Sequence, residues 1–262
     1  MARRIVLTSG KGGVGKTTVC AALGIALARK KQKTLLVDAD FGLNNLDVAL
    51  GMESRVVYDI NDAADGKCRL AQAILQDEAL EDLYLLPSVR SDGIGFPKNV
   101  LASMLARVDE DFDFILIDCP AGIDEGFHRA VCVADEALVV TTPHPGAIRD
   151  ADKVLTLLRT YPLNAVGVVV NRVRGDLVVE GKTLSADETA DVLGHPAMAY
   201  VPEDDMVTVC SQLGRAGMNS PSSHALAMLA DNLTEGSRKL YDCTYDYRGL
   251  FGKIRLYFRR QL

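Results

Sequence analysis

The chain has six cysteines, Cys20, Cys68, Cys119, Cys132, Cys210 and Cys243, and no C-x-x-C pair among them. That argues against a zinc ribbon and against a redox dithiol. Their wide spacing in a chain of 262 residues argues equally against a disulfide framework, so scattered reduced thiols are expected. No run of 18 apolar residues occurs, so no membrane-spanning helix is expected. Met1-Ala2-Arg3-Arg4 leads straight into an apolar strand pattern and lacks the apolar region of a secretory signal. Repeats and low-complexity stretches are missing too. So is a net positive charge over most of the chain. The net charge is −6, but residues 247–262 carry five basic residues and no acid. The remainder holds 24 basic and 35 acidic residues, a net −11. An acidic body is a poor non-specific binder of nucleic acid, and no nucleic-acid partner is expected.

Apolar residues make up 48% and charged residues 24%, enough for a full core in one large domain or at most two small ones. Near-continuous apolar runs at 5–8, 34–38, 83–86, 114–118, 137–141 and 165–171 read as strands buried on both faces, with 197–201 as a further candidate. Helical patterns lie between them at 17–30, 97–108, 148–161, 186–193 and 222–240. The alternation predicts an α/β fold, a doubly wound and mostly parallel sheet flanked by helices. The main domain is expected over residues 1–243. A separate C-terminal segment is expected over 244–262.

Gly10-Lys11-Gly12-Gly13-Val14-Gly15-Lys16-Thr17 matches G-x-x-x-x-G-K-[ST], between a strand and a helix. Glycines let backbone N–H groups curl around phosphate oxygens, and the helix N-terminus adds partial positive charge. Lys16 then reaches the β- and γ-phosphates of ATP, and the Thr17 hydroxyl takes a position on Mg²⁺. Thr18 continues the loop into the helix. The pattern is that of a P-loop ATPase.

Carboxylates follow at strand ends. Asp38 and Asp40 close one strand and point into the crevice of an open sheet. Asp40 is expected to position or polarise the attacking water, and Asp38 to support either the loop or that water. Two turn acids is the alternative. Phe114-Ile115-Leu116-Ile117-Asp118 reads as Walker B, with Asp118 on Mg²⁺ directly or through water. Asn45 falls in a first switch segment, and Pro120, Ala121 and Gly122 in a second. Asn171 and Arg172 end another strand, and Pro202 and Asp204 follow the next. Asn171 offers the purine edge a donor and an acceptor, or is a plain turn residue.

Residues 247–262, placed on a helix, put Tyr247, Leu250, Phe251, Ile254, Tyr257, Phe258 and Leu262 within an arc of about 140°. Arg255 and Arg259 line one edge, and Lys253 lies opposite. A basic amphipathic helix with aromatic residues on its apolar face reads as an interfacial anchor for anionic lipid. A last helix packed on the body is the alternative.

Longer segments carry a resemblance. They are T-S-G-K-G-G-V-G-K-T-T at 8–18, D-A-D-F-G-L-N-N-L-D at 38–47, R-V-V-Y-D-I at 55–60, D-C-P-A-G-I at 118–123, A-D-E-A at 134–137, R-D-A-D at 149–152 and V-V-N-R at 169–172. The chain resembles the MinD/ParA family of deviant Walker A ATPases, and within it the MinD branch that places the division septum. The resemblance implies a homodimer formed with ATP, with Lys11 reaching the partner's nucleotide. It implies a MinC-like division inhibitor and a MinE-like or other regulator as partners, with Arg149 to Asp152 near the partner face. It also implies a bacterial cytoplasmic protein held reversibly on the inner face of the cell membrane. A ParA-like partitioning ATPase and a flagellar-placement relative are the neighbouring readings. Asn44 stands where many members carry arginine, and residues 215–223 depart from the family's usual stretch.

Overall fold

The computed structural model describes residues 1–40, 45–88, 98–205, 220–249 and 252. Its centre is one eight-stranded sheet. The strands are β1 (Arg3–Thr8), β2 (Thr34–Asp38), β3 (Leu75–Gln76), β4 (Leu83–Leu86), β5 (Phe114–Asp118), β6 (Glu136–Thr141), β7 (Ala165–Val173) and β8 (Ala197–Pro202). They are ordered β3-β4-β2-β5-β1-β6-β7-β8, and only the β3–β4 pair is antiparallel. The expected doubly wound sheet is therefore present. Seven parallel strands account for all seven expected runs.

Successive residues of a strand point to opposite faces, and here both faces are apolar. Val6, Val37, Ile117, Val139 and Val168 enter one core. Leu7, Leu36, Leu116, Val140 and Val169 enter the other. The first core is closed by α5 (Lys98–Ala106), α6 (Glu125–Val131), α7 (Pro145–Leu158) and α9 (Ala186–Leu193). The second is closed by α1 (Lys16–Arg29), α2 (Leu46–Leu50) and α10 (Pro221–Glu235). Three short helices, α3 (Ile60–Ala64), α4 (Leu70–Ala73) and α8 (Gly175–Val179), complete the described set. None of the described helices is long and apolar enough to cross a membrane. The five described cysteines are unpaired.

Several boundaries differ from the pattern-based ones. Helix α7 begins at Pro145 rather than 148, because the His144 ring accepts from the Gly146 N–H at 3.2 Å and proline suits the first turn. Helix α10 stops at Glu235 rather than 240, where Gly236 turns left-handed at φ 66°. The expected C-terminal helix does not begin at Tyr247. Residues Tyr245–Tyr247 form a 3₁₀ turn and Arg248 is extended, and among the described residues helix begins only at Gly249, with Gly252 helical as well. Packing is the cause. Cys243 is buried, and a Cβ on Gly175 would lie 1.8 Å from the Cys243 carbonyl oxygen and 3.1 Å from the Tyr247 ring. Asp242 accepts from the Thr244 N–H and hydroxyl and pairs with Arg248 at 3.1 Å. The boundary expected between 243 and 244 falls inside this docked turn. Leu250, Phe251, Lys253, Ile254, Arg255, Tyr257, Phe258 and Arg259 lie outside the described residues.

Candidate nucleotide site

Strand β1 ends at Thr8 and α1 begins at Lys16, so the glycine loop spans the gap at the centre of the sheet. Gly15 adopts φ 88°, a left-handed turn that favours glycine, and no side chain caps the first turn of α1. The loop is fixed on three sides. A Cβ on Gly10 would lie 2.2 Å from the Asp150 carbonyl oxygen, so α7 backs the loop at main-chain contact. The Gly122 N–H donates to the Ser9 carbonyl at 2.9 Å, which ties in the segment that follows β5. The Asn171 amide donates to the Val14 carbonyl at 2.8 Å.

Beneath the loop lies a charge cluster. Lys16 Nζ meets Asp118 Oδ1 at 2.7 Å, with the two side chains 7% and 1% exposed. Burial pulls the Lys16 ammonium down, but the charge and hydrogen bond of Asp118 raise it by more. Asp38 stands beside Asp118 in the β2–β5 register. Its two oxygens accept from the Asp40 N–H at 3.0 Å and the Leu46 N–H at 3.3 Å, so it brackets the loop that carries Asp40. Burial, then the charge of Asp118, pushes the Asp38 carboxyl up to about 7. Asp40 is also raised, by burial above all, against the opposing pull of Lys16. Burial pushes the neighbouring Cys119 thiol up to about 12, which leaves it unreactive.

A cleft of about 390 Å³ opens over this cluster. Lys11 to Thr18 line one side, and Asp40, Asn45, Ala121 and Arg172 face them. A second cleft, of about 430 Å³, shares Lys11 to Val14 and Arg172 and runs on to His144, Arg174 and Glu203. The sequence-predicted residues thus fall into groups. The loop, Asp40, Asn45, Ala121 and Arg172 form the surface of the first cleft. Gly10, Asp38, Asp118, Gly122 and Asn171 brace it from behind through the contacts above. Pro120 packs against Gly126 of α6. Pro202 and Asp204 line neither cleft. Asp204 accepts from the Ser222 N–H at 3.2 Å and hydroxyl at 2.8 Å at the start of α10, and Glu203 takes the lining position between them. Sequence reasoning missed Arg174, which pairs with Asp176 at 2.5 Å and Glu203 at 3.7 Å, and it missed His144. No local motif marks either one, because the topology brings them to the loop.

The donor set suits Mg²⁺ held through a nucleotide. The Thr17 hydroxyl and the Asp118 carboxylate are hard oxygen ligands, and magnesium keeps waters and phosphate oxygens in its other positions. Thr17 lines the cleft, and Asp118 is presented beneath it by β5. Once bound, the ion supplies neutralisation of phosphate charge.

The Asp38 titration has a consequence for stability. A carboxyl raised in the folded state binds its proton more tightly there than in the unfolded chain, at about 3.9. Its favourable contribution is therefore complete below about pH 4 and is lost as pH rises towards 7. The nucleotide-free Asp38→Asn protein is expected to outlast wild type in urea at pH 8, with the difference shrinking by pH 5. A difference that does not depend on pH would contradict this assignment.

The comparisons with known proteins agree with this geometry. A model described as an AAA domain matches residues 2–164. A model described as a NUBPL iron-transfer P-loop NTPase matches residues 95–234. The septum site-determining protein MinD of Bacillus subtilis is 39% identical over 98% of this chain and 98% of its own length. In a MinC:MinD cell division complex from Aquifex aeolicus, the matching chain is 38% identical with a TM-score of 0.85, covering 92% of this chain and 99% of that one. The MinD of Pyrococcus horikoshii, solved with Mg-ADP, is 30% identical with a TM-score of 0.79, covering 90% and 97%. A buried Lys16–Asp118 pair beneath a strand–loop–helix phosphate cradle, with near full-length likeness to these relatives, places the chain in the MinD branch of the MinD/ParA family of P-loop ATPases, the septum site-determining proteins.

Proposed function

We propose that the protein is a nucleotide-timed membrane switch that places the division septum. Mg-ATP occupies the first cleft. Lys16 and the loop N–H groups hold the β- and γ-phosphates, Thr17 and Asp118 hold the magnesium, and Asp40 orients the attacking water. Asp38 keeps Asp40 in place through the bracketed loop, and Asn45 with Pro120, Ala121 and Gly122 responds to the γ-phosphate. Arg172, which lines both clefts, borders the ribose and base.

Two copies then close face to face over their nucleotides. The observation that carries this reading is Lys11. It is exposed at the mouth of the cleft, and it makes no ion pair among the described residues. Val48 and Ile123, each 48% exposed, stand on the flanks of the two switch segments and offer apolar area to a second copy. Dimerisation links two weak C-terminal anchors, so the second meets anionic lipid at high effective concentration. Leu250, Phe251, Ile254, Tyr257 and Phe258 would enter the interface, and Lys253, Arg255 and Arg259 would meet the headgroups. The dimer would carry a MinC-like inhibitor to the membrane, and a MinE-like or other regulator would release it by triggering hydrolysis.

The Lys11→Ala protein is expected to bind ATP but to remain monomeric with ATP in size-exclusion chromatography. Unchanged dimerisation would exclude a role across the interface. Removing residues 247–262 is expected to abolish ATP-dependent co-sedimentation with anionic vesicles while ATP binding persists. Sedimentation of the shortened protein would show that the anchor lies elsewhere.

A further inference from the structure

Asn171 has a structural task that base recognition does not explain. Its side chain is 7% exposed and lines neither cleft. The amide nitrogen donates to the Val14 carbonyl at 2.8 Å, linking β7 to the middle of the phosphate loop across 157 residues of sequence. Only the NH₂ side of the amide can serve there, because the partner is an acceptor. The amide also approaches the loop closely at Gly15, where a Cβ would lie 2.5 Å from the same nitrogen. A local irregularity aims it. The β7–β8 register shifts between Val170 and Val173, and Arg172 in that interval takes a left-handed φ of 55°. Bulges beside active sites re-aim side chains in this way. A strained non-glycine backbone persists only where its surroundings hold it.

We propose that Asn171 is a positioning residue for the phosphate loop. By holding the Val14 carbonyl it fixes the peptide that connects Val14 to Gly15, and so the direction of the N–H groups that meet a triphosphate. Its effect on nucleotide affinity then passes through the phosphates and does not require a base.

Base dependence provides the test. Asn171→Ala and Asn171→Leu are prepared in the full chain, and each is titrated with Mg-ATP and with Mg-tripolyphosphate, which has neither ribose nor base. Displacement of a fluorescent ATP analogue reports both affinities. Loss of one buried hydrogen bond corresponds to about tenfold. Both ligands are expected to weaken by about that factor, and by the same factor. Asn171→Leu keeps about the same volume and adds no charge but lacks the donor, so it is expected to fall about as far, and it serves alone if the alanine protein does not fold. A loss confined to Mg-ATP would assign Asn171 to the base and overturn the proposal. Unchanged affinity for both ligands, even with a lower melting temperature, would reduce the contact to fold stability and overturn it equally.

Discussion

Lys16 and Asp118 meet beneath the loop at 2.7 Å, almost fully out of water. Stripping two charges of solvent is costly, and the cost is offset only while they face one another. Removing one partner strands the other, so the pair holds α1 and β5 in a fixed relation. Strand β1, which leads into the loop, is the parallel neighbour of β5, with Leu7 in register with Asp118. The pair is also incomplete as chemistry. Under the proposed function, an arriving triphosphate would give Lys16 a better anion, and Asp118 would then need a cation. On that reading, Lys16 would hold the nucleotide and Asp118 the magnesium, each in place of the other half of the ion pair.

The sheet explains why the chemistry has nowhere else to go. Both faces are covered by helices, so polar groups collect where the strands end. Asp38 and Asp118 close β2 and β5, and Asn171 stands near the end of β7. The order β2-β5-β1-β6 places the strand that feeds the loop between these neighbours. Open α/β sheets bind ligands at such a position, beyond the carboxyl ends of the strands. Close main-chain packing, with α7 against Gly10 and Cys243 against Gly175, joins the outer helices and the C-terminal turn to the same frame.

Much of this was legible in one dimension because it repeats at short range. The parallel strands show as apolar runs, the loop as a dense glycine motif, and Asp118 as an acid closing four apolar residues. What escaped depends on contacts between distant segments. The helix α6 follows a segment that reads as loop, and α8 is one short turn between a strand and a polar stretch. Asp204 looked like a cleft residue because it follows a strand, yet its carboxylate serves Ser222 at a helix start. Tyr247 fitted an amphipathic helix by spacing alone, while its ring is taken up by Gly175. The Asn171–Val14 bond has no sequence signature, since its partners are brought together only by the fold.

The most direct measurement is calorimetric titration of the purified protein with ATP, with and without Mg²⁺. If the triphosphate and the metal replace the two halves of the Lys16–Asp118 pair, magnesium must tighten ATP binding, and Asp118→Asn must remove most of that gain. Equal affinity with and without magnesium, or a magnesium effect untouched by Asp118→Asn, would contradict the account.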